Sequence, residues 1–294
     1  MSDIRNINWY PGHMNKAKKQ MIADLNLVEL IIEIVDARCP LSSRNPDIDR
    51  MCKNKYRMVL LNKADLADKN IGNEWKKYFE DKGISVLFLN SKNKEGLRNV
   101  LPKVKELCAE RIERNLKRGI KNQPIRAMVV GIPNVGKSTF INAFCGKNIA
   151  KTGDKPGVTK GKQWIKVNSD LELLDTPGIL WPKFEDANVG LRLALIGSIN
   201  DNILIPEELA GSLLNYFKKE YPDILKKFSI ENELFETNIS EMQFVTYESL
   251  MLDKVAGYYN CLKKGGSFDY VRASVRLLDD FRGGKLGRIT LERP

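Results

Sequence analysis

The octapeptide Gly131-Ile132-Pro133-Asn134-Val135-Gly136-Lys137-Ser138 follows the apolar run Ala127 to Val130 and precedes a helical stretch from Ser138 to Phe144. A glycine-rich turn pinned between a strand and a helix leaves few folds open, because it aims a row of backbone N–H groups and a helix N-terminus at one point. Such a point suits phosphate. The spacing GxxxxGK[ST] gives Lys137 the place of a point charge on the β and γ phosphates and Ser138 that of a hydroxyl on Mg²⁺. Asn134, Val135, Gly136 and Thr139 complete the loop around them. A purely structural glycine turn is the competing reading, and the strand–loop–helix setting speaks against it.

The same design recurs along the chain. Leu30 to Val35, then RMVLLNKAD, ISVLFLNS, IRAMVVGIP and LELLDTPG are short apolar, β-branched runs that end in polar or glycine-rich residues, as buried parallel strands do. Helical stretches lie between them, NEWKKYFEDKG closed by Gly83 and VLPKVKELCAERIERNLKRG closed by Gly119. Strand alternating with helix predicts an α/β fold, a mostly parallel sheet with helices on both faces. KGKQWIKV alternates apolar and polar residues and predicts one antiparallel edge strand. Lys103 to Arg126, with eight Lys/Arg against three Asp/Glu, reads as a long basic helix. After about Asn188 the strand pattern gives way to amphipathic helices, which predicts a second, all-helical domain; 294 residues are ample for two domains.

Three further loops carry chemistry. Asp175-Thr176-Pro177-Gly178 follows the strand Leu171 to Leu174, so that Asp175 can hold Mg²⁺ through water while the Gly178 N–H meets a γ-phosphate; any DTPG could also be a plain β-turn. Asn62-Lys63-Ala64-Asp65 has the form NKxD, in which a carboxylate accepts from guanine N1–H and its exocyclic amine. Adenine lacks that donor pair, so Asp65 would select GTP; the competing reading of Asp65 is a helix cap. Asn90 and Ser91, with Lys92, stand where a short loop packs on the base. In ordinary GTPases the phosphate loop comes first, whereas here NKAD and NSK precede it and DTPG follows.

By that order, and by WYPGHM, DARCPLSSRNP, LNKADL, GIPNVGKST, KTGDKPGVT and LLDTPGILWPKF, the sequence resembles the circularly permuted GTPases, and among them the ribosome biogenesis GTPase A family, over nearly its whole length. The resemblance implies an arm over 1–27, a GTPase domain over 28–187 and a C-terminal helical, RNA-binding domain over 188–294. It implies GTP and GDP as ligands, Mg²⁺ as cofactor with Thr159 as the switch threonine (Thr152 being the fallback), and the precursor of the large ribosomal subunit as partner. The expected cycle is binding with GTP, hydrolysis stimulated by rRNA, and release with GDP. Ile179 stands where many GTPases place the glutamine that orients water, and an apolar residue cannot do so. The family's PGH motif makes His13 the catalytic candidate, against an RNA or protein contact or a backbone cap. Asn134 would hold K⁺ as in potassium-stimulated GTPases, or brace the loop. Permutation brings both the arm and the helical domain to the second switch.

Charge agrees with an anionic partner. Lys+Arg exceed Asp+Glu by 48 to 37, and Lys263 to Arg288 holds seven basic residues against three acidic. A solvated face is the bland alternative. Tyr258, Tyr259, Phe268 and Tyr270 would stack on bases or else fill a core. The five cysteines show no CxxC spacing, and neither a secretory leader nor a membrane-spanning run is evident, so a cytoplasmic protein without membrane or DNA partners is expected. Two other functions stay open: a GTP-gated RNA-binding scaffold, and a regulatory GTPase with a non-ribosomal partner.

Overall fold

The computed structural model describes residues 12–52, 54–121, 123–147, 163–181, 184, 186–230 and 247–294, without the side chains of His13, Met14, Ala17 and Tyr247. The expected strands form where the apolar runs lie: β1 (Leu30–Asp36), β2 (Tyr56–Asn62), β3 (Ser85–Phe88), β4 (Ile125–Val130), β5 (Gln163–Lys166) and β6 (Leu171–Asp175). They make a six-stranded sheet in the order β3-β2-β1-β4-β6-β5. All neighbours are parallel except β5, the alternating edge strand, which pairs antiparallel with β6.

Paired residues of neighbouring strands point the same way. Ile31, Glu33 and Val35 therefore share a face with Arg57, Val59 and Leu61 and, on the other side, with Met128 and Val130. Two apolar clusters cover that face. Met21 of α1 (Gly12–Asp24) and Leu25 join Ile31, Ile48, Met128, Val130 and Ile179 in one. Ile71, Trp75 and Phe79 of α3 (Lys69–Asp81) join Val35, Val59 and Leu61 in the other, α2 being the short helix Asp47–Met51. Between the clusters Glu33 is buried and would be costly alone; Arg44 pairs with it at 2.9 Å and with Asp49 at 2.8 Å. Leu30, Ile32, Ile34, Met58, Leu60, Ala127 and Val129 on the opposite face are equally buried, and α4 (Val100–Leu107) packs along β2. Burial of both faces is what a parallel sheet of this kind requires.

The long basic helix is corrected to two. α4 ends at Leu107, α5 spans Ala109–Lys117, and between them Cys108 leaves helical geometry at φ −99° and ψ 13°. Cys108 is fully buried, so packing sets the break where no proline or glycine marks it. Gly83 and Gly119 close their helices in the left-handed region, as expected, at φ 71° and 75°.

The chain divides into two compact units, one ending at Val189 but including Thr290–Pro294, the other Gly190–Ile289. In the described part of the N-terminal segment, α1 contributes Met21 to the sheet's core. The last five residues belong to the sheet unit rather than to the helical domain. Within the helical unit, helices Pro206–Glu220, Tyr247–Tyr258 and Tyr270–Arg282 contact one another around Leu213, Phe217, Met251, Val255, Leu277 and Phe281.

Candidate functional site

Five polar loops leave the carboxyl ends of adjacent parallel strands: Asp36-Ala37-Arg38 after β1, Asn62–Asp65 at the end of β2, Asn90 and Ser91 after β3, Gly131–Gly136 after β4 and Asp175–Gly178 at the end of β6. From β1 the chain moves outward to β2 and β3, and from β4 it goes the other way, to the edge strand β5 and back to β6 beside β4. Between β1 and β4 the order therefore reverses, which is where open α/β sheets bind ligands.

The phosphate side is built from β4 and α6 (Lys137–Cys145), whose first turn follows Gly136 at φ 96°. A side chain on Gly136 would overlap the Asn62 amide nitrogen, so glycine is needed there. Lys137 is only 8% exposed. Its ammonium donates to the Ile132 carbonyl at 2.7 Å, and burial pushes its pKa down to about 8 against the opposing pull of Asp175. A charge held at that cost is poised for an anion. Gly178 lies beside it, because a Cβ there would stand 2.8 Å from Lys137 Nζ and 2.9 Å from Pro133 N. Ser138 follows on α6 half-buried, Thr139 is exposed, and Asp175 is 2% exposed at the end of β6, its backbone opposite Val129. A serine hydroxyl and a buried carboxylate are the oxygen donors that a hard divalent cation takes. Thr176 donates its hydroxyl to the Val129 carbonyl at 2.7 Å and ties the DTPG turn to β4.

The base side is tied to the phosphate side by hydrogen bonds. Asn62 donates to the Val135 carbonyl at 2.8 Å, and its side-chain oxygen accepts from Ser91 N at 3.1 Å and Ser91 Oγ at 2.8 Å. Asn90 accepts from Asn93 N at 3.0 Å. Lys63, left-handed at φ 57°, donates to the Asn134 carbonyl at 2.7 Å, and Asn134 is itself left-handed at φ 62°. Ala64 N–H donates to the Leu89 carbonyl at 3.0 Å. Asp65 is half-buried. The helix-cap role left open for it falls instead to Asp68, which accepts from Asn70 N and Ile71 N at the start of α3.

Sequence reasoning quoted DARCPLSSRNP but assigned its residues no role. Asp36, fully buried, forms a two-point pair with Arg38 at 2.9 and 2.8 Å and holds Lys63 at 3.1 Å. Arg38 and Lys63 keep the Asp36 carboxyl well below the usual carboxylate range despite its burial. Further along that loop Asn45 donates to the Ile179 carbonyl at 3.2 Å. The signal for these roles was the position of Asp36 at the same carboxyl edge as the recognised loops.

His13 falls in the first turn of α1, and its side chain lies outside the described residues, as do Thr152 and Thr159 entirely. Met21, on the same helix, packs in one cluster with Ile179, the residue after DTPG.

A mononucleotide fold whose base-side loops precede its phosphate loop in chain order is a circularly permuted P-loop GTPase. Comparison with known proteins narrows the class. Residues 126–234 match the family model described as 50S ribosome-binding GTPase. Ribosome biogenesis GTPase A of Bacillus cereus is 46% identical over 98% of this chain and 94% of that protein. A GDP-bound structure of TM YlqF superposes with a TM-score of 0.66 at 26% identity, covering 94% of this chain and 99% of that one. GNP-bound YlqF from T. maritima gives 0.63 at 28% identity, covering 95% and 98%. The chain belongs to the ribosome biogenesis GTPase A family, and it binds and hydrolyses GTP.

Proposed function

We propose that this GTPase acts on the assembling large ribosomal subunit, binding it with GTP and leaving after hydrolysis. The observation that carries the reading is that the residue after DTPG is Ile179, buried in the cluster that anchors α1. Attack by water then needs a group from elsewhere, which a partner-dependent enzyme obtains on docking. Relatives bearing the ribosome biogenesis name over nearly the full length supply the partner class.

In this reading Asp65 accepts from the guanine edge, Ala64 and Lys63 line the base, and Asn62, Asn90 and Ser91 brace it. Asn134, Val135, Gly136, Lys137, Ser138 and Thr139 surround the phosphates, Lys137 regaining an ordinary ammonium environment against them. Gly178 offers its N–H to the γ-phosphate, so hydrolysis frees the DTPG turn. Ser138 and Asp175, with Thr159, would hold Mg²⁺, which when bound offsets charge on the phosphate oxygens; Asn134 would hold K⁺. His13 orients or deprotonates the attacking water, carried by a helix whose other end packs near Ile179. An α-helix rises 1.5 Å per residue, so His13 and Met21 are separated by about 12 Å along α1.

The helical unit supplies a surface for RNA phosphate. Arg272 and Arg276 are exposed on one side of helix Tyr270–Arg282, with Lys263 and Lys264 exposed in the preceding turn. Tyr258 packs edge-on against Phe228 at 5.0 Å yet stays exposed, while half-buried Tyr259 lies tilted against the same ring at 6.1 Å. The test is GTP turnover by His13→Ala with and without purified large subunits: GTP affinity holds and stimulation is lost. Retained stimulation would remove His13 from the chemistry.

A further inference from the structure

The last residues of the chain are fastened to the base side of the site. Thr290 Oγ accepts from the Asp68 N–H at 3.0 Å, just beyond NKAD. Leu291 N–H donates to the Arg38 carbonyl at 2.6 Å. The Glu292 carboxylate accepts the N–H of Leu41 at 2.6 Å and of Ser42 at 2.9 Å, and also the Ser42 hydroxyl. Its own carbonyl accepts from the Trp75 indole at 3.0 Å. Glu292 is 6% exposed and Thr290 is fully buried. A buried carboxylate is tolerated only where hydrogen bonds replace water, and here a single loop, 41–42, supplies the three bonds.

That loop is the one whose ends reach both halves of the site. At its start Asp36, itself paired with Arg38, holds Lys63, which in turn donates to the Asn134 carbonyl of the phosphate loop. At its end Asn45 holds the Ile179 carbonyl beyond DTPG. Glu292 grips the middle.

We propose that Glu292, backed by Thr290 and Leu291, is a positioning residue of the nucleotide site, fixing the 38–45 loop so that Lys63 and the adjoining Asp65 are set for the base. The proposal rests on Asp65 reading guanine. It gives the C-terminal five residues a part in base selection, although they touch no expected nucleotide contact. Glutamine can reproduce the arrangement, since its carbonyl accepts both N–H groups and its amide donates to Ser42 Oγ; alanine cannot.

The experiment measures GDP and IDP binding by the full-length protein, IDP lacking only the exocyclic amine. In Glu292→Ala the GDP dissociation constant rises about tenfold, as the loss of charge-assisted hydrogen bonds implies, and the GDP-over-IDP preference shrinks. Glu292→Gln restores both. Thr290→Val, a milder change, moves the preference the same way and serves if Glu292→Ala does not fold. Glu74→Ala, which removes only the exposed partner of Arg293 at 3.5 Å, leaves the preference intact. Asp65→Asn tests the underlying reading separately, because it should exchange guanine for xanthine nucleotides. If Asp65→Asn switches base while Glu292→Ala lowers the melting temperature and leaves the GDP-to-IDP ratio unchanged, Glu292 is structural only and the proposal is overturned. If Asp65→Asn does not switch base, the guanine reading itself fails.

Discussion

Asp36 carries more of the site than its place outside the recognised motifs implies. It is fully buried between Arg38 and Lys63, so Asp36→Asn removes the carboxylate that pairs at two points with Arg38, itself 1% exposed. Breaking a buried pair in this way costs about 3–5 kcal/mol, which urea unfolding at pH 7 will show. The pH dependence has a definite sign. The folded pKa of Asp36 is depressed below the ordinary 3.8, so its contribution is fully present above that value and disappears as pH falls through the folded one. The gap between the native protein and Asp36→Asn should stay constant from neutral to mildly acidic pH and close only in strong acid. Gly178 makes a second residue-scale test. A Cβ there would stand 2.8 Å from Lys137 Nζ and 2.9 Å from Pro133 N, so Gly178→Ala forces the DTPG turn away from the phosphate loop. GDP binding measured by calorimetry should be nearly unchanged, while GTP turnover falls about tenfold or more.

Among elements, the strands were the most legible, because strands buried on both faces are written as apolar runs and the loops after them as polar ones. The recognised loops meet at one edge for the same reason: parallel strands put all their carboxyl ends together. α1 was less legible. Its core contact is carried by Met21 with Leu25 just beyond, yet Lys16, Lys18 and Lys19 give the stretch the look of a solvated arm. The break at Cys108 had no local signal, and Asp68 rather than Asp65 proved to be the α3 cap because the chain takes three more residues to turn. Asp68→Ala should cost about 1 kcal/mol in thermal or urea unfolding without altering base preference at the NKAD loop, unlike Asp65→Asn. Thr290–Glu292 was illegible in principle. Its partners lie more than 200 positions away in the chain, at Asp68 and at Leu41 and Ser42, and no periodicity in a short polar segment announces such contacts.

At the scale of the whole molecule, the helical unit leaves the GTPase unit after Val189, shortly past DTPG, and the chain returns to it at Thr290. It is thus tethered at one end to the part expected to answer the γ-phosphate and at the other to the loop that supports Lys63. Sequence order predicted only the first tether. On the proposed reading, a partner on the helical unit would act on the site through either, which fits an enzyme with Ile179 after DTPG. The most direct test is GTP turnover by the purified protein in potassium buffer, alone, with large ribosomal subunits, and with small subunits as control. The account predicts slow turnover alone and a large increase with the large subunit only. Equal turnover under all three conditions, with normal GTP binding, would contradict it.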